Sequence, residues 1–154
     1  MTHLLFVCHG NICRSPMAEF IMKSLLESAH LSKSVSASSV AATTEEIGHD
    51  MYPPARRTLM AHGIPFSPRK ARLITQADCD KADLILIMDD ENLRSLRRRF
   101  GHAYDGKIHW LMDFSGEHRE VADPWYTGNF DQTYDDILRA CEGIEKQLRM
   151  QNEE

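Results

Sequence analysis

The apolar run Leu4-Leu5-Phe6-Val7 passes directly into Cys8-His9-Gly10-Asn11-Ile12-Cys13-Arg14-Ser15, and Pro16 follows. Four apolar residues without alternation read as a strand covered on both faces, as in a parallel sheet. Pro16 suits the first turn of a helix, and Met17, Phe20, Ile21, Leu25 and Leu26 recur after it at helical spacing. Strand, tight polar loop and helix together aim backbone N–H groups and a helix amino terminus at one small volume. A dianionic phosphate suits that volume. The same positive field is expected to favour the thiolate of Cys8, the form of cysteine that attacks.

The remaining sequence alternates the two element types. Val35 to Ser39 reads as a second strand, Leu84 to Ile87 as the central one and Lys107 to Leu111 as a fourth. The segment from Thr43 to Pro54, with Gly48 and Pro53-Pro54, reads as a loop; a short helix from Ala55 to His62 then ends at Gly63. Asp89 or Asp90 caps a helix reaching Arg98, and Arg94, Arg97, Arg98 and Arg99 form its solvated, basic end. Gly116 to Thr127 is a long polar loop holding Asp123-Pro124-Trp125-Tyr126. The last helix runs from Asn129 to Arg149, with Phe130, Tyr134, Ile137, Leu138, Cys141, Ile144 and Leu148 as its apolar stripe. Asp131, Asp135 and Asp136 sit near its start, where the macrodipole favours acids.

This alternation predicts an α/β fold, a three-layer α/β/α sandwich around a small, four-stranded parallel sheet of Rossmann-like or flavodoxin-like type, with right-handed crossovers. Ligands bind such sheets beyond the carboxyl ends of the strands. Cys8 follows the first strand and the Asp123 loop follows the last, so both belong to that edge.

A chain of 154 residues is expected to form a single domain. Its net charge of −5 argues against nucleic acid or an anionic membrane as the main partner. No apolar run approaches the roughly 20 residues of a membrane span, and Leu4 to Val7 is too short for a signal-peptide core. A cytoplasmic, reducing location is therefore expected, where thiols do chemistry more often than they staple folds. The four cysteines are Cys8, Cys13, Cys79 and Cys141. The Cys8/Cys13 spacing fits common zinc patterns poorly and no second close pair exists, so no metal and no cofactor is expected. Cys79 and Cys141 read as buried apolar thiols.

The loop C-H-G-N-I-C-R-S-P followed by M-A-E, the M-D-D-E-N after the third strand, the late D-P-W-Y and the N-F-x-x-T-Y opening the last helix resemble the low-molecular-weight protein tyrosine phosphatases over nearly the whole chain. The resemblance implies a domain of that family over 1–154 and hydrolysis of phosphotyrosine and aryl phosphates through a cysteinyl-phosphate. Cys8 would attack phosphorus. Arg14 would hold two equatorial oxygens with its planar fork. The backbone of His9, Gly10, Asn11, Ile12, Cys13 and Ser15 would bind the same oxygens in the transition state; the His9 side chain is given no catalytic role. Ser15 would hydrogen-bond the Cys8 sulfur, Asn11 would hold a strained turn, and Gly10 would permit close backbone approach. Asp123 would protonate the phenolate leaving group and then serve as base toward water. Pro124 would stiffen that loop, and Trp125 and Tyr126 would wall a slot for a flat ring. Ser39 and Asp89 would support the loop from behind. Cys13 would resolve an oxidised Cys8 into a disulfide.

Three positions depart from the family pattern. Glu45 replaces a frequent aromatic at the mouth and is expected to repel acidic substrate flanks. Arg69 stands where a histidine commonly supports the loop, and Val40-Ala41-Ala42 replaces a turn of small residues after Ser39. Three rivals are weighed. An arsenate reductase on this fold needs relay cysteines close together, which Ile85 to Ile87 do not supply. Phosphoarginine phosphatases carry threonine at the position of Ile12. A phosphate-binding or redox-sensing protein without turnover has no use for the full set of Cys8, Arg14 and Asp123. The expected partners are phosphotyrosine proteins, with inorganic phosphate as product and inhibitor, and the expected state is a monomer or weak dimer.

Overall fold

The computed structural model describes residues 1–152 and places four parallel strands in the order β2-β1-β3-β4. These are β1 (Thr2–Cys8), β2 (Val35–Ala41), β3 (Leu84–Ile87) and β4 (Ile108–Trp110). The helices are α1 (Arg14–Ser28), α2 (Pro53–Ala61), α3 (Gln76–Lys81), α4 (Asp90–Phe100), α5 (Pro124–Thr127) and α6 (Phe130–Asn152). The expected three-layer architecture follows from the burial of β1. Leu4, Phe6 and Cys8 face one core with α1, α2 and α6, whereas Leu5 and Val7 face a second core with α3 and α4. Both faces are covered, which is why the strand is apolar at every position.

Register brings the strand ends level. Cys8 pairs with Ala41 of β2, and Val7 pairs with Ile87 of β3. Strand order reverses direction at β1, so the loops after β1, β2 and β3 diverge around one crevice. Among the described residues, no helix is long and apolar enough to cross a membrane.

The boundaries differ from expectation in places, each for a local reason. Helix α2 begins at Pro53, because a first helical turn needs no proline N–H. Helix α3 was not expected; Thr75 and Asp78 form a reciprocal capping box that starts it. Strand β4 spans only Ile108–Trp110, with tight 3₁₀ turns on either side. Within the polar loop, Pro124–Thr127 forms one helical turn that Asp123 caps and Gly128 ends in a left-handed conformation.

Two packing features escape a reading by spacing alone. A Cβ at Gly143 would stand 1.9 Å from the Phe114 carbonyl oxygen, so glycine lets α6 approach the segment after β4. Asp136 does more than balance a macrodipole. It is buried and accepts from Arg119, Arg139 and Gln132, which pins the loop after β4 to α6.

Candidate active site

The Cys8 sulfur lies at the carboxyl end of β1, 3.0 Å from Ser15 Oγ and 3.4 Å from Ser15 N, which donates to it. Ser15 lies in the first turn of α1, so the helix amino terminus faces the sulfur. Between them the loop reverses at Asn11, whose φ of 60° lies in the left-handed region. Its side chain holds that turn closed. Asn11 Nδ2 donates to Ser15 Oγ at 2.8 Å and to Ser39 Oγ at 3.0 Å. Asn11 Oδ1 accepts from Arg69 Nη2 and from Arg72 N. Arg69 therefore supports the loop from the segment between α2 and α3. Ser39 in turn donates to Glu19 at 2.7 Å, which ties β2 to α1 behind the loop.

Arg14 is 2% exposed and held on one side. Its Nη1 donates to Asp89 Oδ2 at 2.7 Å and to the Val121 carbonyl at 2.9 Å, and its Nη2 lies 3.4 Å from Asp123 Oδ2. Burial by itself would lower its pKa, but electrostatic interaction with Cys8, Asp89 and Asp123 outweighs that and raises it. The guanidinium is a permanent cation facing the sulfur. Asp89 comes from the end of β3, and Val121 and Asp123 from the loop after β4, so two segments distant in sequence converge on one side chain.

A cleft of about 130 Å³ opens above the loop, lined by Cys8, Ile12, Arg14, Asp123, Trp125 and Tyr126 among others. Asp123 Oδ1 accepts from Trp125 N at 3.0 Å, which leaves Oδ2 toward the cleft. Trp125 is 52% exposed and Tyr126 84%, so both are available to a substrate. Trp125 leans on Tyr52, ring centroids 4.7 Å apart. Tyr52 also packs with Ile12, Cys13 and Phe130 in a small apolar cluster under the loop. Spacing could not have revealed Tyr52, which sits just before the two prolines of α2. Gly10 approaches the Glu46 side chain, which a Cβ would meet at 3.1 Å. His9 points outward and bridges Glu45 at 2.7 Å and Glu91 at 3.6 Å.

Cys13 is buried within the Cys8–Ser15 loop, and burial first, with the neighbouring Cys8 and Asp123 adding to it, pushes its thiol far up. It stays protonated at neutral pH. Burial also pushes the Cys79 thiol up to about 11. Cys79 and Cys141 lie in the separate cores on opposite faces of the sheet.

The model of the family described as low molecular weight phosphotyrosine protein phosphatase matches residues 3–154. The chain belongs to this family. As a low-molecular-weight phosphatase it is a phosphoric monoester hydrolase. It is 37% identical to the low molecular weight protein-tyrosine-phosphatase YfkJ of Bacillus subtilis, across 96% of this chain and all of that one. The crystal structure of YfkJ superposes with a TM-score of 0.92 at 35% identity, covering 98% of this chain and 96% of that one. A structure of the YwlE arginine phosphatase, also from Bacillus subtilis, matches with a TM-score of 0.86 at 28% identity, covering 96% of both chains.

Proposed function

We propose that this phosphatase hydrolyses phosphotyrosine in proteins, and simple aryl phosphates, through a cysteinyl-phosphate. The observation that carries the reading is the convergence of Cys8 Sγ, the Arg14 guanidinium and Asp123 Oδ2 on one cleft, with Ser15 Oγ 3.0 Å from the sulfur. Cys8 thiolate attacks phosphorus in line, and the bond from phosphorus to the aryl oxygen breaks. Asp123 gives its proton to that departing oxygen. Arg14 and the loop amides hold the equatorial oxygens as charge builds on them. A water then attacks phosphorus, Asp123 takes its proton, and Cys8 leaves as thiolate. Ser15 donates to the sulfur in both steps, because a thiolate can only accept.

The apolar Ile12 beneath the cleft and Trp125 beside it suit the face of a phenyl ring. A phosphoarginine would bring a polar guanidinium against that same surface. The separation of Cys79 from Cys141 supports hydrolysis over a thiol relay. We read the chain as one catalytic domain, cytoplasmic, a monomer or weak dimer, with inorganic phosphate as product and inhibitor. The test is kcat/KM on matched phosphotyrosine and phosphoarginine peptides. Phosphotyrosine should be preferred, and Cys8→Ser should abolish turnover of para-nitrophenyl phosphate. A preference for phosphoarginine would overturn the substrate, and turnover by Cys8→Ser would overturn the nucleophile.

A further inference from the structure

A second cleft, of about 360 Å³, is lined by Ala42, Thr43, Thr44, Ser95, Arg98 and Arg99. Consecutive residues line the two clefts: Thr43 and Thr44 the second, Glu45 and Glu46 the first. Thr43 binds the His9 carbonyl through both its amide, at 3.1 Å, and its hydroxyl, at 2.9 Å. Glu45, two residues on, then meets the His9 ring from the same strand end. Helix α4 forms the other side. Glu91, Ser95 and Arg98 fall at i, i+4 and i+7, one face of that helix. A groove thus runs from the catalytic mouth, past the Glu45–His9–Glu91 bridge, to two guanidinium groups.

Charge along this groove is segregated. At the mouth the Glu45 and Glu91 side chains are 66% and 59% exposed, so their carboxylates meet whatever flanks the substrate. At the far end both arginines are exposed. Among the described residues, neither Arg98 nor Arg99 forms an ion pair, whereas the adjacent Arg97 pairs with Asp105 at 3.2 Å. Arg98 donates to the Ser95 hydroxyl at 3.1 Å, which fixes its head over the cleft. With Thr43 and Thr44 opposite, the far end presents cations and hydroxyls and no carboxylate.

We propose that this groove reads the substrate polypeptide beside the phosphotyrosine: a basic residue next to it faces Glu45 and Glu91, and an anionic side chain farther along binds Arg98 and Arg99. The inference rests on the phosphotyrosine reading above. The spacing is set by the helix. Seven residues of α4 from Glu91 to Arg98 rise about 10 Å, which an extended peptide covers in about three residues. The anionic side chain therefore lies three or four positions from the phosphotyrosine.

The experiment is a set of phosphotyrosine peptides in which one glutamate is moved stepwise along either side, with lysine or alanine beside the phosphotyrosine. At low salt, glutamate three or four positions away should raise kcat/KM about two- to fivefold over alanine, chiefly through KM, and added salt should erase the gain. Glutamate immediately beside the phosphotyrosine should instead lower it. The double variant Arg98→Ala/Arg99→Ala, and each single variant in part, should lose the distal preference, while Arg97→Ala keeps it. A wild-type enzyme that turns over every peptide equally, or a preference that survives in the double variant, overturns this inference alone. A wild-type enzyme that turns over none of the peptides overturns the phosphotyrosine reading and the inference with it.

Discussion

Asp89 serves Arg14 and helix α4 at once: its Oδ2 accepts from Arg14 Nη1 at 2.7 Å, and its Oδ1 accepts from Asn92 N at 2.9 Å. One carboxylate therefore aligns the buried cation and caps the helix that follows β3. Asp89→Asn separates the two duties, because asparagine caps as well as aspartate but carries no charge. We expect kcat/KM on para-nitrophenyl phosphate to fall about 10- to 100-fold as the guanidinium loses its fixed orientation. Urea unfolding should show a loss of about 2–4 kcal/mol, because the Arg14 charge stays buried with a weaker partner. Unchanged kinetics would mean that Val121 and Asp123 suffice to hold Arg14.

Asp123 is the proposed acid, and its role is separable by leaving group. Asp123→Ala should depress kcat strongly for phenyl phosphate, whose oxygen leaves poorly as an anion. The loss should be much smaller for leaving groups of low pKa, which depart without a proton. Plotting log kcat against leaving-group pKa for both proteins reads this directly. Parallel lines would remove Asp123 from the acid role.

Cys13 is the proposed protector of the nucleophile. Peroxide converts the Cys8 thiolate to a sulfenic acid; the Cys13 thiol then attacks that sulfur, forming a disulfide and releasing water. Dithiothreitol reduces the disulfide and returns both thiols. After a peroxide pulse, wild type should therefore recover most of its activity, and Cys13→Ser should recover a clearly smaller share. Equal recovery would leave Cys13 a space-filling residue under the loop.

Asp136 makes stability depend on pH in a stated direction. Burial of the carboxylate would raise its pKa, but hydrogen bonds from Arg119, Arg139 and Gln132 prevail and hold it below the ordinary value. A depressed folded-state pKa contributes stability above the unfolded carboxylate range, and that contribution disappears as pH falls through the folded value. Asp136→Asn should thus cost about 1–3 kcal/mol near neutral pH. The gap from wild type should close on acidification below about pH 4. Urea midpoints measured across that range decide it, and a gap that widens toward acid would reverse the assignment.

Much of the site was legible because it is contiguous. Cys8 to Ser15 is one loop, and its chemistry follows from a thiol and a guanidinium held by a strand and a helix whose patterns are local. Asp123 was legible for a similar reason, since an acid before Pro124 and two aromatics in a polar loop is a local signal. Tyr52, Glu91 and the Asp136–Arg119 pair carried none. Each acts through a partner at least 17 residues away in the chain, and nothing in its own neighbourhood marks it.

Spacing and composition alone determined the parallel sheet, the order of strands and helices along the chain, and the strand–loop–helix that carries Cys8 and Arg14. Those properties depend on periodicity and backbone geometry, which neighbours in sequence set. Only the tertiary structure decided that Arg69 secures Asn11, that Asp89 aligns Arg14, and that Thr43 and helix α4 enclose a groove of segregated charge. Such pairings depend on the register of β1 against β2 and β3, and register is settled by how two cores pack on opposite faces of the sheet at once.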